Sequence, residues 1–143
     1  MKPMKPMILA AVMAALATPV FANAEARQIV NELRSENGVR AIAYSPRLER
    51  AAQRHATDMA RGNFFSHTGR NGSSVGDRAR AAGYKWCYVA ENIAQGQTSL
   101  TSAMNAWVNS RGHRRNIMNR KAREFAVAKA PGNFWVMVLA KPC

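Results

Sequence analysis

The apolar pattern divides the chain in two. Met7 to Ala17 is an unbroken apolar stretch, with Lys2 and Lys5 before it and Pro19 and Ala22-Asn23-Ala24 after it. A short positive segment, an apolar core and small residues at a cleavage site are the marks of a secretory signal peptide, here cut after Ala24. The stretch is shorter than the roughly 20 residues a membrane span requires. Beyond Ala24 the pattern changes from continuous to periodic. Residues 25–143 are therefore expected to form one soluble exported domain, periplasmic or secreted, and monomeric.

Within that domain the spacing predicts four helices. Ile29, Val30 and Leu33 share a stripe in Ala26 to Asn37, and Gly38 follows as a helix stop. Ser45-Pro46 supplies an N-cap and a first-turn proline. Leu48, Ala52, His55, Ala56 and Met59 then recur at helical spacing until Arg61-Gly62-Asn63. Ser74 to Ala82, ended by Gly83, is a short third helix. Ser99 to Ser110, capped by Thr98, is a fourth, with Leu100, Ala103, Met104 and Trp107 on one face. Trp86 to Ala90 reads as a strand. Phe125 to Lys129 and Phe134 to Ala140 flank Pro131-Gly132-Asn133 as a hairpin. Helices first and the clearest hairpin last suggest a sheet covered by helices, not βαβ alternation.

Composition narrows the functional classes. The chain has 143 residues and a net charge of +13, which bears on partners and solubility and not on fold. Its two cysteines exclude a disulfide-rich mini-protein and a Cys₄ zinc site. Its length excludes a TIM barrel. There is no phosphate loop. Export permits a Cys87–Cys143 disulfide. Two free thiols or a catalytic cysteine are the alternatives, but neither cysteine has a CxxC partner or a histidine signature beside it.

Candidate chemistry rests on few residues. His55 lies on the apolar stripe of its helix and reads as a packed, hydrogen-bonded histidine. Glu91 is an acid inside an apolar stretch, and a buried carboxylate needs a partner. His67 and His113 supply imidazoles, which act as metal ligands or general bases. The three would suit Zn²⁺ with an open fourth position, although their spacing matches no local metal motif. Arg111, Arg114, Arg115, Arg120, Lys121 and Arg123 cluster around His113. Such a block is either a solvated face or an anion-binding rim for phosphates, lipid headgroups or acidic polysaccharide. No stacking aromatics interleave it, which argues against nucleic acid.

These segments together resemble the CAP superfamily in its bacterial SCP-domain form, which unites cysteine-rich secretory proteins, antigen 5 and plant pathogenesis-related group 1 proteins. The resemblance is carried by Leu48-x-x-Ala51-Ala52-x-x-His55-Ala56-x-x-Met59-Ala60, Phe65-Ser66-His67 and Ala82-Gly83-Tyr84. It continues through Glu91-Asn92-Ile93-Ala94-x-Gly96 and Trp107-x-Asn109-Ser110-x-Gly112-His113-Arg114-x-Asn116-Ile117. Each piece is weak alone, and their order makes the match specific. The resemblance implies an α/β fold, an α-β-α sandwich with a small, mainly antiparallel sheet between helical layers. It also implies a cleft of two histidines and two glutamates that holds a divalent metal, often zinc, in some members. His67, Glu91 and His113 match three of those positions, and Ser110 stands where the second glutamate would be. Ser110, Arg111, Arg114 and Arg115 are then candidates for ligand contact. Glu124 matches an acidic position and is expected to pair with a nearby arginine. Phe125-Ala126-Val127-Ala128 stands where the family usually carries two glycines, so strand packing is expected to differ there. The family shares no single reaction. An exported binding module for metal and anionic envelope ligands is the leading expectation, with a metal-dependent hydrolase and a cationic effector as alternatives.

Overall fold

The computed structural model describes residues 20–143. Most of the expected signal peptide lies outside them. The first helix, α1 (Val20–Glu36), starts earlier than its apolar stripe suggests. After a two-residue strand, β1 (Ala43–Tyr44), comes α2 (Pro46–Gly62). The Ser45 hydroxyl accepts from the Leu48 amide at its start, and Asn63 closes it in the left-handed region at φ 49°. Then follow α3 (Val75–Ala81), β2 (Trp86–Gln95), α4 (Leu100–Val108), α5 (Arg111–Ile117), β3 (Glu124–Ala130) and β4 (Phe134–Pro142).

Three expectations are corrected here. Ser99, not Thr98, caps α4, because its hydroxyl accepts from the Ser102 amide. The helix predicted to run to Ser110 ends at Val108, and Arg111, Arg114 and Arg115 fall on the separate helix α5. β2 runs on through Glu91 to Gln95 instead of stopping at Ala90.

The sheet order is β1-β3-β4-β2, with β1 parallel to β3 and the other pairs antiparallel. β3 and β4 meet through the three-residue turn Pro131-Gly132-Asn133, with positive φ at Gly132 and Asn133. Burial on both faces explains why β4 is apolar from Phe134 to Ala140. Phe134, Val136, Val138 and Ala140 enter one core with Leu48, Ala52, Ala56 and Met59 of α2. Trp135, Met137 and Leu139 enter the other, with Val30 of α1, Met104 and Trp107 of α4 and Ile117 of α5. The sheet thus lies between two helical layers, the α-β-α sandwich expected from the sequence.

Cys87 and Cys143 are disulfide-bonded. Cys87 occupies a bulge, since Trp86 pairs with Pro142 and Tyr88 with Lys141. The bridge ties one end of β2 to the segment just past β4, and the Cys143 amide donates to the Lys85 carbonyl.

Candidate functional site: a histidine held by a buried glutamate

β2 is an edge strand, and the site is built around its open side. Along that edge the Glu91 carbonyl accepts from Asn116 Nδ2 at 3.4 Å, and the Ile93 carbonyl accepts from Trp107 Nε1 at 3.1 Å. Side chains of α4 and α5 therefore satisfy backbone groups that would otherwise template another strand. Asn92, fully buried, extends the seam. Its Nδ2 donates to the His113 carbonyl, and its Oδ1 accepts from Asn116. The α5 helix is thus fixed by hydrogen bonds to β2 as well as by the apolar contact of Ile117.

A second anchor for α5 comes from α1. Arg34 is fully buried and donates to the Ile117 and Asn119 carbonyls at the end of α5, and to the Arg40 carbonyl. A guanidinium at a helix C-terminus meets its unpaired carbonyls and its dipole. Burial, with Arg123, Arg120 and Arg40 nearby, lowers the Arg34 pKa from its ordinary value.

Glu91 sits on the α2/α3 side of β2, on the same face as Ile93. Its carboxylate is buried and fully engaged. Oε1 accepts from His67 Nδ1 at 2.8 Å, and Oε2 accepts from the Arg78 guanidinium at 2.8 Å. Arg78, 4% exposed, also donates to the His67 carbonyl and to Ser73. It therefore fixes both the carboxylate and the loop that carries His67. His55 completes the layer below. It is fully buried, its Nε2 donates to the Ser66 carbonyl at 2.7 Å, and it lies 3.9 Å from Glu91 Oε1. Burial lowers the His55 pKa more than the neighbouring Glu91 raises it. The expectation of a packed histidine holds for His55.

His67 itself is 60% exposed. A carboxylate on Nδ1 fixes its tautomer and leaves Nε2 as the nitrogen that faces outward. His113, on α5, is half-buried. Its pKa is lowered, chiefly by burial and secondarily by His67.

Of the residues expected to form a metal centre, His67 and Glu91 are in contact, and His113 lies on α5, which Asn92 ties to the same strand. Among the described residues no group of three His, Cys, Asp or Glu side chains is arranged to hold a metal ion. The physical reason is the alternation of β2. Glu91 projects to the α2/α3 face, whereas the neighbouring Asn92 holds α5 and His113 from the other. Both Glu91 oxygens are already taken, and the Arg78 guanidinium beside them disfavours a cation at that point. Glu91 stands behind His67, whose exposed ring it holds through Nδ1.

The remaining candidates separate. Ser110 is the N-cap of α5 but makes no side-chain capping bond. Arg111 and Arg115 are exposed, while Arg114 donates to Asn37. Arg123 turns back onto the carbonyls of Arg120, Lys121 and Ala122. Among the described residues Glu124 does not pair with an arginine. It accepts the Tyr84 hydroxyl at 2.6 Å, and burial followed by that bond raises the Tyr84 pKa. Sequence reasoning missed Arg78, Asn92, Asn116 and Arg34. The signal for Arg78 was indirect, since a carboxylate in an apolar stretch requires a buried donor.

A three-layer sandwich with a glutamate-held histidine at the covered edge of its sheet is a CAP-type domain. The chain belongs to the CAP, or cysteine-rich secretory protein, family, which it matches over residues 28–139. It is 29% identical over 109 residues to the uncharacterized protein YkwD of Bacillus subtilis, covering 76% of this chain and 42% of that protein. It is 29% identical over 91 residues to the uncharacterized membrane protein YlbC of the same organism, covering 64% and 26% respectively. The chain therefore spans less than half the length of these curated relatives. Among solved structures, an extracellular SCP-domain protein from Bacillus anthracis superposes with a TM-score of 0.81 at 24% identity, over 85% of this chain and 41% of that one. An outer surface protein of Borrelia burgdorferi superposes at 0.78 and 18% identity, over 88% and 96%. At these identities the likeness establishes the fold.

Proposed function

We propose that the chain is an exported CAP-domain binding module whose ligand meets His67 and His113 at the covered edge of β2. The observation that carries this reading is an exposed imidazole gripped from behind by a buried carboxylate, itself gripped by a buried guanidinium. Burying that pair is costly, and the geometry keeps one ring nitrogen directed outward. A divalent cation such as Zn²⁺ is the simplest ligand for the two imidazoles. With two protein ligands in place of the usual three or four, its affinity falls in a weak range. The exposed Arg111 and Arg115 add positive charge beside the site and suit anionic envelope material, lipid or acidic polysaccharide.

Export is supported by the disulfide, which belongs to oxidising compartments. It is also supported by the description of the similar proteins as extracellular in Bacillus anthracis and as an outer surface protein in Borrelia burgdorferi. No helix of the described residues is long and apolar enough to cross a membrane. The hydrolase alternative is less favoured, because Glu91, the acid at the site, is held by both Arg78 and His67 and is not free to act as a base.

Calorimetric titration of zinc into metal-stripped protein tests the reading, beside His67→Ala and His113→Ala. One-to-one binding lost in both variants is expected. Absence of binding in the unsubstituted protein removes the metal from the proposal, and binding retained in both variants removes these histidines.

A further inference from the structure

Beside α2 lies a cleft of about 570 Å³ whose inner wall shares His55 and Arg78 with the network behind His67. Its walls carry Arg50, Arg54, Arg61, Arg70, Arg78 and His55. At 100° per residue, Arg50, Arg54 and Arg61 fall within about 40° of one another on α2 and span roughly 16 Å along it. The opposite wall is the Gly69–Ser73 turn. It is pinned to α2 by Asp58, whose Oδ2 accepts the Arg70 amide and whose Oδ1 accepts Arg70 Nε at 2.7 Å. Asp58 is the acid on the wall, and Arg70 already matches it. Arg78 is matched by Glu91. Among the described residues, Arg50, Arg54 and Arg61 have no acidic side chain within ion-pair distance. Arg54 and Arg61 therefore stand as uncompensated guanidinium groups on a single concavity, while Arg50 beside them donates to the Ala82 carbonyl.

An independent feature lies inside the wall. His55, fully buried, and Arg78, 4% exposed, each retain a buried nitrogen with no hydrogen-bond partner, Nδ1 and Nε respectively. Because His55 Nε2 donates to Ser66, its neutral Nδ1 is an acceptor, while Arg78 Nε–H is a donor. Both nitrogens are shut off from solvent behind the wall, so a ligand in the cleft meets the outer guanidinium groups and not these atoms. Guanidinium forks bind phosphate oxygens in bidentate fashion, and the volume is that of a small-ligand pocket.

We propose that the cleft between α2 and the Gly69–Ser73 turn binds a phosphate group bearing multiple negative charges, with Arg54 and Arg61 as its principal outer contacts. This site is separate from the imidazole pair and stands whether or not that pair takes metal.

The test is calorimetric titration of inorganic pyrophosphate at low salt into the unsubstituted protein, into R54Q/R61Q and into R27Q/R40Q as a matched charge control on and just after α1. One-to-one binding is expected, weakened at least tenfold in R54Q/R61Q and changed less than threefold in R27Q/R40Q. Both pairs are exposed, and circular dichroism melts check that each variant folds. Absence of binding to the unsubstituted protein overturns the proposal, as does an equal loss in the two variants, which would mean diffuse charge and not a site. Cosedimentation with phosphatidic acid vesicles identifies the source. If it is lost in R54Q/R61Q and competed by pyrophosphate, the phosphate is a lipid headgroup. If pyrophosphate binds and vesicles do not, it is a soluble phosphate compound.

Discussion

Replacing Arg78 by methionine removes the centre of the polar network while keeping the side chain long and unbranched. The guanidinium donates to Glu91 Oε2 at 2.8 Å, to the Ser73 carbonyl at 2.7 Å, to Ser73 Oγ at 3.3 Å and to the His67 carbonyl at 3.0 Å. The substitution leaves a buried carboxylate held by His67 alone and the His67 carbonyl without that donor, while the Ser73 carbonyl keeps the Gly69 amide. Breaking a buried ion pair from one side costs about 3–5 kcal/mol. Single hydrogen bonds to charged groups are worth about 1.5–3 kcal/mol, but adding all four would overshoot, because water enters as the loop loosens. With a urea slope of roughly 1–3 kcal/mol per molar, the unfolding midpoint should fall by about 2 M at an unchanged slope. Glu91→Gln should cost less, because Gln can still accept from Arg78 while removing the charge. The double variant R78M/E91Q should be more stable than the sum of the singles by at least about 1.5 kcal/mol, since the uncompensated carboxylate is gone. A loss below about 1 kcal/mol for R78M, or singles that add to the double within about 0.5 kcal/mol, would refute the reading of a desolvated, coupled pair.

Acid sensitivity should follow from His55 and His113, whose pKa values are both lowered in the fold, chiefly by burial. The unfolded chain then binds protons more readily, so their contribution to stability is full above the unfolded value of about 6.5 and declines as pH falls through it toward the folded values. Urea midpoints at several pH values should show a shallower decline in H55Q than in the unsubstituted protein; an identical slope would mean that His55 carries none of the effect. Cys87→Ser should cost about 2–4 kcal/mol, read as a lower melting temperature that reducing agent no longer changes.

The parts of this fold that could be read from the sequence are those whose signals are local. Ser45-Pro46 and the Leu48–Met59 stripe define α2 because cap, first-turn proline and apolar face all lie within one segment. The Pro131-Gly132-Asn133 turn is equally self-contained. α5 is different. Arg111–Ile117 has no apolar stripe, and it is held by Arg34 from α1 and by Asn92 from β2. Likewise β1, only Ala43 and Tyr44, exists through its pairing with Glu124 and Phe125. At the site, His67, Glu91 and His113 were recognisable as unusual residues, but their roles were not. Whether Glu91 faces an ion or a guanidinium depends on Arg78, which on a seven-residue helix resembles any solvated arginine. The bulk of Phe125, Ala126 and Ala128, in the stretch expected to pack differently, is absorbed by the two cores, into which these side chains are buried.

The placement of β4 has a consequence for how the molecule opens. It lies between β3 and β2, and its side chains alternate between the two cores. Peeling away either helical layer would expose half of the same strand, so neither layer can detach as an independent unit. Sub-global opening is confined to parts outside this shared strand, such as the His67 loop and the turns after α5. Amide protons in the middle of β4 are therefore exchanged with solvent only when the whole domain unfolds, and their exchange rate measures global stability directly.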